Sequence, residues 1–163
     1  MVAVITVNNI ESNIIANIKT QLTAATVSGS TVFTKVAETD DYDGGKQKEF
    51  TESPVALIVY EGTEEHPFAD LLRGNVCNLT LILAQKTSSS ATRRAAVINL
   101  ANVARDAIFG TPPSDSKAFM SEEELFDRVS FGDVELDMTS NKPWGVALLP
   151  CSISYHISSV TSH

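Results

Sequence analysis

Apolar residues recur every four positions near the start of the chain, at Ile10, Ile14, Ile18 and Leu22, with Ile15 beside them. That spacing lines one stripe of a helix and predicts helix over 8–25. Asn8 is placed to cap it, with Glu11 three positions later as in a capping box. Val27-Ser28-Gly29-Ser30 ends it. A short strand is predicted at 31–37. The polar, acidic stretch 38–53 has no period and reads as a loop or flexible hairpin tip. After Pro54 the unbroken apolar run VALIVY fits a central strand covered on both faces. Over 75–86 the pattern alternates, with Cys77, Leu79, Leu81 and Leu83 facing one way and Asn78, Thr80, Ile82 and Ala84 the other.

Ser88-Ser89-Ser90 caps a second predicted helix at 91–109, whose buried face is Val97, Leu100, Ala101, Ala104 and Ile108. Gly110 with Pro112-Pro113 stops it. Residues 111–127 are irregular, with a helical turn expected at 121–127, where Ser121 and Glu124 have capping-box spacing. Val129 and Phe131 begin a further strand. Val134, Leu136 and Met138 then alternate with Asp133, Glu135 and Asp137, the pattern of a half-buried strand. A turn at 139–144 leads to the last strand, 145–157, with Leu149, Cys151, Ile153, Tyr155 and Ile157 inward. Pro150 within it points to an edge strand or a bulge. The order α-β-β-β-α-β-β groups strands instead of alternating them with helices. The expectation is an α+β fold: a mostly antiparallel sheet of about five strands with two helices packed on a face. The chain, 1–163, reads as a single domain without repeats or linkers.

Composition narrows the function classes. With 43% hydrophobic residues the chain has the apolar content of a globular domain, so a core needs no disulfide or metal to hold it. No apolar run approaches ~18 residues, so no membrane-spanning segment is expected. The opening MVAVITV reads as too short for a signal peptide and has no basic region before it, so the expectation is that the chain folds where it is made, in a cytoplasm. Cys77 and Cys151 sit among apolar neighbours on strands and read as reduced core thiols, with a disulfide between them the alternative that spacing alone does not decide. Acids outnumber bases 20 to 12, for a formal charge of −8. The cations form no stripe that could displace counterions from phosphate, so neither nucleic-acid binding nor adhesion to an anionic membrane is expected.

No reaction centre emerges. Glu64-Glu65-His66 is the nearest thing to a metal cluster, but consecutive residues on a regular element cannot converge on one ion, and no H-E-x-x-H or C-x-x-C spacing occurs. A solvated turn before Pro67 is the simpler reading. Asp133, Glu135 and Asp137 would line one strand face, where carboxylates can hold a divalent cation or share a proton. A row facing solvent opposite the core explains them equally. Cys151 and His156 are five apart on one strand, so parity separates a thiol from its base unless Pro150 marks a bulge. No Ser lies in a G-x-S-x-G elbow, and Gly44-Gly45-Lys46 lacks phosphate-loop spacing. The expectation is a non-enzyme with no cofactor and no metal.

What remains are surface features suited to contact. The acidic loop carries Asp40, Asp41 and Asp43. Arg93-Arg94 is a small positive feature at a helix start, where cations are slightly disfavoured; it reads as a contact for an acidic partner or as plain solvent exposure. Trp144, between Pro143 and Gly145, is a candidate contact or a cap on the core.

Several segments, taken in order, resemble the tail-terminator (tail-completion) proteins of long-tailed bacteriophages, in particular the branch of Mu-like contractile-tailed phages. The likeness runs through the amphipathic helix from Ile10 to Leu22, SPVALIVYEG, VCNLTLILAQKT, Arg93-Arg94 leading into AAVINLANVARDAIFG, and GVALLPCSISYHI. These are patterns of apolar residues and turns, not a catalytic signature. Residues 38–50 and 111–128 take no part in it.

The resemblance implies a structural virion protein made in the bacterial host cytoplasm and located in the phage tail or neck. Such proteins form a homo-hexameric ring that caps the tail tube, ends tube polymerisation and offers a docking surface to the head-side connector. In contractile tails they also meet the tail sheath protein. Genome DNA passes through such a ring without specific binding, and a wall carrying this chain's negative charge would repel phosphate over about 8 Å at physiological salt. The loop 38–49, or the row Asp133, Glu135 and Asp137, is therefore expected to face the bore or a partner. Two alternatives stand beside this reading: another neck or head–tail connector component, and, from a different class, a small metal-dependent enzyme using the carboxylate row.

Overall fold

A computed structural model describes residues 7–44, 47–69, 72–109, 126–140 and 142–158, with side chains over 11–44, 47–65, 74–109, 129–140 and 142–155. Helix α1 spans Val7–Ala24. Ile14, Ile18 and Leu22 on its four-residue stripe are fully buried, each worth roughly 1.5–3 kcal/mol relative to exposure. Asn8, expected to cap the helix, instead lies inside it, one residue past its start; its side chain and that of Ile10, the stripe's first member, lie outside the described residues.

The segment expected only to end the helix makes a tiny hairpin of its own. Strand β1, Thr26–Val27, pairs with β2, Ser30–Thr31. Both residues between them have positive φ, Ser28 at 52° and Gly29 at 82°. That is the requirement of the tight turn matching strand twist. Strand β3 is Lys35–Thr39, later than the predicted 31–37. Strands β4 (Val55–Ala69) and β5 (Leu72–Lys86) form a long antiparallel hairpin. Helix α2 is Ser90–Phe109, followed by β6 (Phe126–Phe131), β7 (Glu135–Asp137) and β8 (Trp144–Ser158). Of the helical turn expected at 121–127, Phe126 and Asp127 belong to β6, and the rest lies outside the described residues, as do Gly110 and the two prolines after it.

The sheet runs β3-β4-β5-β8-β6, with β7 also on β8. Only β3–β4 is parallel; the remaining ladders are antiparallel. The α+β class with two helices and a mostly antiparallel sheet therefore holds, while the strand order and count need correction. The β1–β2 hairpin is extra, and the strand expected across 129–138 is two strands broken at Gly132.

Glu64-Glu65-His66, read as a solvated turn, lies in β4, paired with Val76, Asn75 and Gly74 of β5. Beyond Val59 that strand loses β3 as a neighbour and becomes the sheet edge. Charged residues and a proline such as Pro67 are tolerated there because one row of backbone groups faces water. A bulge at Glu61, with Gly62 at φ 118°, marks the change.

Pro150 corrects the other edge assignment. Strand β8 lies inside the sheet, and its ladder with β5 passes Thr80↔Pro150 without a register shift. The Pro150 carbonyl accepts from the Gly132 N–H at 3.0 Å. In a strand a residue's N–H points to the same side as its C=O, so the donor that proline lacks faces the break between β6 and β7. Gly132 gives the Pro150 ring room there, since a Cβ would lie 3.1 Å from it.

Both faces of the sheet are covered. Helices α1 and α2 bury Ala56, Ile58, Leu79, Leu81, Leu149 and Ile153 on one face. On the other, Val55, Leu57, Val59, Ile82, Ala84 and Val146, with Trp144 and Leu148 of β8 packed against them, lie under Tyr42 and Phe50. The cover is the connection 40–54, hereafter the strap.

Candidate functional site

Three polar constellations hold the layers together. The first was not legible as a unit. Glu11, in the first turns of α1, accepts hydrogen bonds from the hydroxyls of Thr63 (2.8 Å), Tyr60 (3.0 Å) and, at longer range, Tyr155 (3.4 Å). The Tyr60 and Thr63 oxygens are themselves 2.6 Å apart, so their two protons are shared among the three contacts. Burial, and then the neighbouring Glu11 carboxylate, push the Tyr155 phenol above its ordinary pKa. Burial, again with Glu11 nearby, raises the Cys77 thiol to about 11. The carboxylate acts as a latch between α1 and the β4–β8 region, receiving protons in hydrogen bonds that its neighbours are disfavoured from giving up. Glu11 was expected to pair with Asn8 in a capping box, but the helix starts at Val7, and the bonds Glu11 makes to Thr63, Tyr60 and Tyr155 are tertiary.

The two thiols are free and buried, as their apolar surroundings implied. Burial raises Cys151 to about 12, so neither supplies thiolate near neutral pH. They do not face each other in the ladder, where Leu79 pairs with Cys151 and Cys77 with Ile153. The odd separation of Cys151 from His156 stands on an unshifted strand; the His156 side chain lies outside the described residues, as do the side chain of His66 and all of His163.

The second constellation organises the strap, which is not the free loop the sequence implied. Gln47 is buried and accepts from the Asp43 N–H at 2.7 Å. Its amide donates to Glu49 (2.8 Å), to the Asp41 carbonyl (3.3 Å) and to Thr39 (3.3 Å). Thr39 in turn donates to Glu49 at 2.9 Å, and Lys35 reaches the Glu49 carbonyl at 3.3 Å. At the far edge the Tyr42 hydroxyl donates to Asp137 at 2.6 Å, so the strap crosses the sheet from β3 to β7. Phe50 stacks on Trp144, ring centres 5.0 Å apart. Burial acts to raise the pKa of Glu49 and of Asp137, but hydrogen bonds outweigh it and both are lowered. Those bonds come from Gln47 and Thr39 for Glu49, and from Tyr42, Ser140 and Thr139 for Asp137.

The third constellation corrects the reading of Arg93-Arg94. Arg93 is buried, and its Nε and Nη2 donate to the Thr87 carbonyl at 3.3 and 3.2 Å. Its stem lies over Gly145, where any Cβ would collide with it. It is a structural clamp between the β5–α2 turn and β8, not an exposed contact. Helical spacing held the clue: Arg93 is four before Val97, on the stripe that continues through Leu100, Ala104 and Ile108. Arg94 is exposed.

The other candidate residues divide as well. Asp40, Asp41 and Asp43 are exposed on the strap. The row Asp133, Glu135, Asp137 is not three equivalent carboxylates. Asp133 precedes β7, Glu135 is exposed, and Asp137 is drawn into the strap contact, accepting also from the N–H groups of Thr139 and Ser140. Trp144 is half-buried and caps the second apolar cluster. Among the described residues no three His, Cys, Asp or Glu side chains gather as a metal site. A hollow of about 340 Å³ between the end of α1, β1 and α2 presents one acid, Asp106, beside Gln21 and Thr26. Among the described residues no helix is long and apolar enough to cross a membrane.

No protein-family model and no curated protein matches the sequence.

Proposed function

We propose that this chain is a structural virion protein of a long-tailed phage, a tail terminator whose copies ring the end of the tail tube and stop its growth. The observation that carries the reading is how the polar chemistry is used. Glu11, Gln47, Glu49, Arg93 and Asp137 each join one element to another. A protein that works through its surfaces needs such a rigid body. The likeness to tail terminators adds support, because its segments coincide with α1, the first half of β4, β5, α2 and β8, the elements that make the main core.

On this reading the partners are copies of the chain itself, the tail tube protein, the tail sheath protein and the head-side connector, with genome DNA passing through unbound. The test is a tube-growth assay. Tail-tube subunits from the same phage are allowed to polymerise with and without the purified chain, and tube lengths are measured by negative-stain microscopy. The reading expects growth to stop, with extra density at one tube end. Unchanged lengths and bare ends would overturn it.

A further inference from the structure

The two broad surfaces of the molecule differ in the charges they expose. The outer surface of the helices is mostly Ser, Thr, Asn and Ala, with Ile98 exposed to 43%. Among the described residues its cations are Lys19 and Arg94, exposed, and Arg105, half-exposed, against one exposed acid, Asp106. The strap surface carries exposed Asp41 and Asp43. The ladder places Glu135 on that same side, since it pairs with Leu148 of the strap-side cluster. Lys48 and Lys142 are exposed cations elsewhere on the strap and the turn before β8. Lys19, Arg94, Asp41, Asp43 and Glu135 have no ion-pair partner among the described residues. A chain of formal charge −8 repels its own copies unless opposite patches meet.

We propose that the helix surface of one copy docks on the strap surface of the next, with Lys19, Arg94 and Arg105 facing Asp41, Asp43 and Glu135. The inference rests on the ring reading above and names the subunit contact within it. Two different surfaces meeting make a head-to-tail contact, the kind that closes rings when the rotation between copies allows. Ile98 adds an exposed apolar side chain to the helix surface. The strap supplies a firm counterpart, held by Gln47 on one side and Asp137 on the other. Complementary patches of this kind govern partner choice and association rate more than affinity, so the contact weakens with salt.

Charge reversal tests the proposal on the full chain. R94E/R105E and D41K/D43K are each expected to fall from the wild-type assembled mass to the monomer mass in light scattering, with unchanged far-ultraviolet circular dichroism. Mixed in equal amounts they should recover the assembled mass, because each variant's altered surface then meets its complement. Variants that assemble as the wild type does, or a mixture that stays monomeric, would overturn this contact and leave the ring reading standing. Variants that still self-associate but no longer cap tubes would assign the helix surface to the tube protein and overturn it too. A wild-type chain that is monomeric both alone and with tube subunits would remove the contact and the ring together.

Discussion

A single carboxylate in the first turns of α1 gathers three hydroxyls from distant parts of the chain. Thr63, Tyr60 and Tyr155 lie 52, 49 and 144 positions from Glu11. Tyr155 is fully buried, so losing its acceptor leaves a desolvated hydroxyl. Glu11→Ala is expected to lower unfolding free energy by about 1–3 kcal/mol, read by urea denaturation. The loss should be smaller in a Tyr155→Phe background, because the orphaned hydroxyl is then gone. Equal losses in the two backgrounds would mean the Tyr155 bond contributes nothing. At this scale the sequence is legible where a local rule applies. Buried Cys77 and the stripe of Ile14, Ile18 and Leu22 follow from period. Arg93 was open to the same reasoning, but its charge argued for the surface. The Glu11 latch was out of reach, since no local pattern links residues on a helix and two strands.

Among the elements, the strap is where periodicity gives least. The described residues of 40–54 form no helix or strand, and Tyr42, Gln47 and Phe50 have no spacing that marks them as inward. The strands beneath were legible because alternation and apolar runs fix which face is covered. The run VALIVY reads correctly as two-faced, though what covers its second face is irregular chain. Two lowered carboxylates, Glu49 and Asp137, help fix the strap. A group whose folded pKa is depressed stabilises the fold above its unfolded pKa, and that contribution is lost as pH falls through the folded value. Acidification below the ordinary carboxylate range, near pH 4, should therefore loosen the strap. Trp144, the only tryptophan, reports it: its emission should shift to the red before helical circular dichroism is lost. Asp137→Asn should move that shift to higher pH. Tryptophan emission that changes only together with the helix signal in both proteins would contradict a separately held strap.

At the scale of the whole molecule, a six-stranded sheet sits between a helical layer and the strap. The coarse architecture, α+β with two helices on a mostly antiparallel sheet, was readable from grouped strands and two amphipathic stripes. The parallel β3–β4 pair, the inner place of β8 and the split of β6 from β7 were not, because pairing partners are set by tertiary contacts. The proposed role asks one thing of this body, that it present surfaces to its own copies and to tail components. The mass of the purified chain in solution tests that most directly, alone and with tail-tube protein. The account predicts one closed species of about six times the 17.5 kDa chain, alone or once tube subunits are present. A chain that stays at the mass of one copy at high concentration and ignores tube subunits would contradict it.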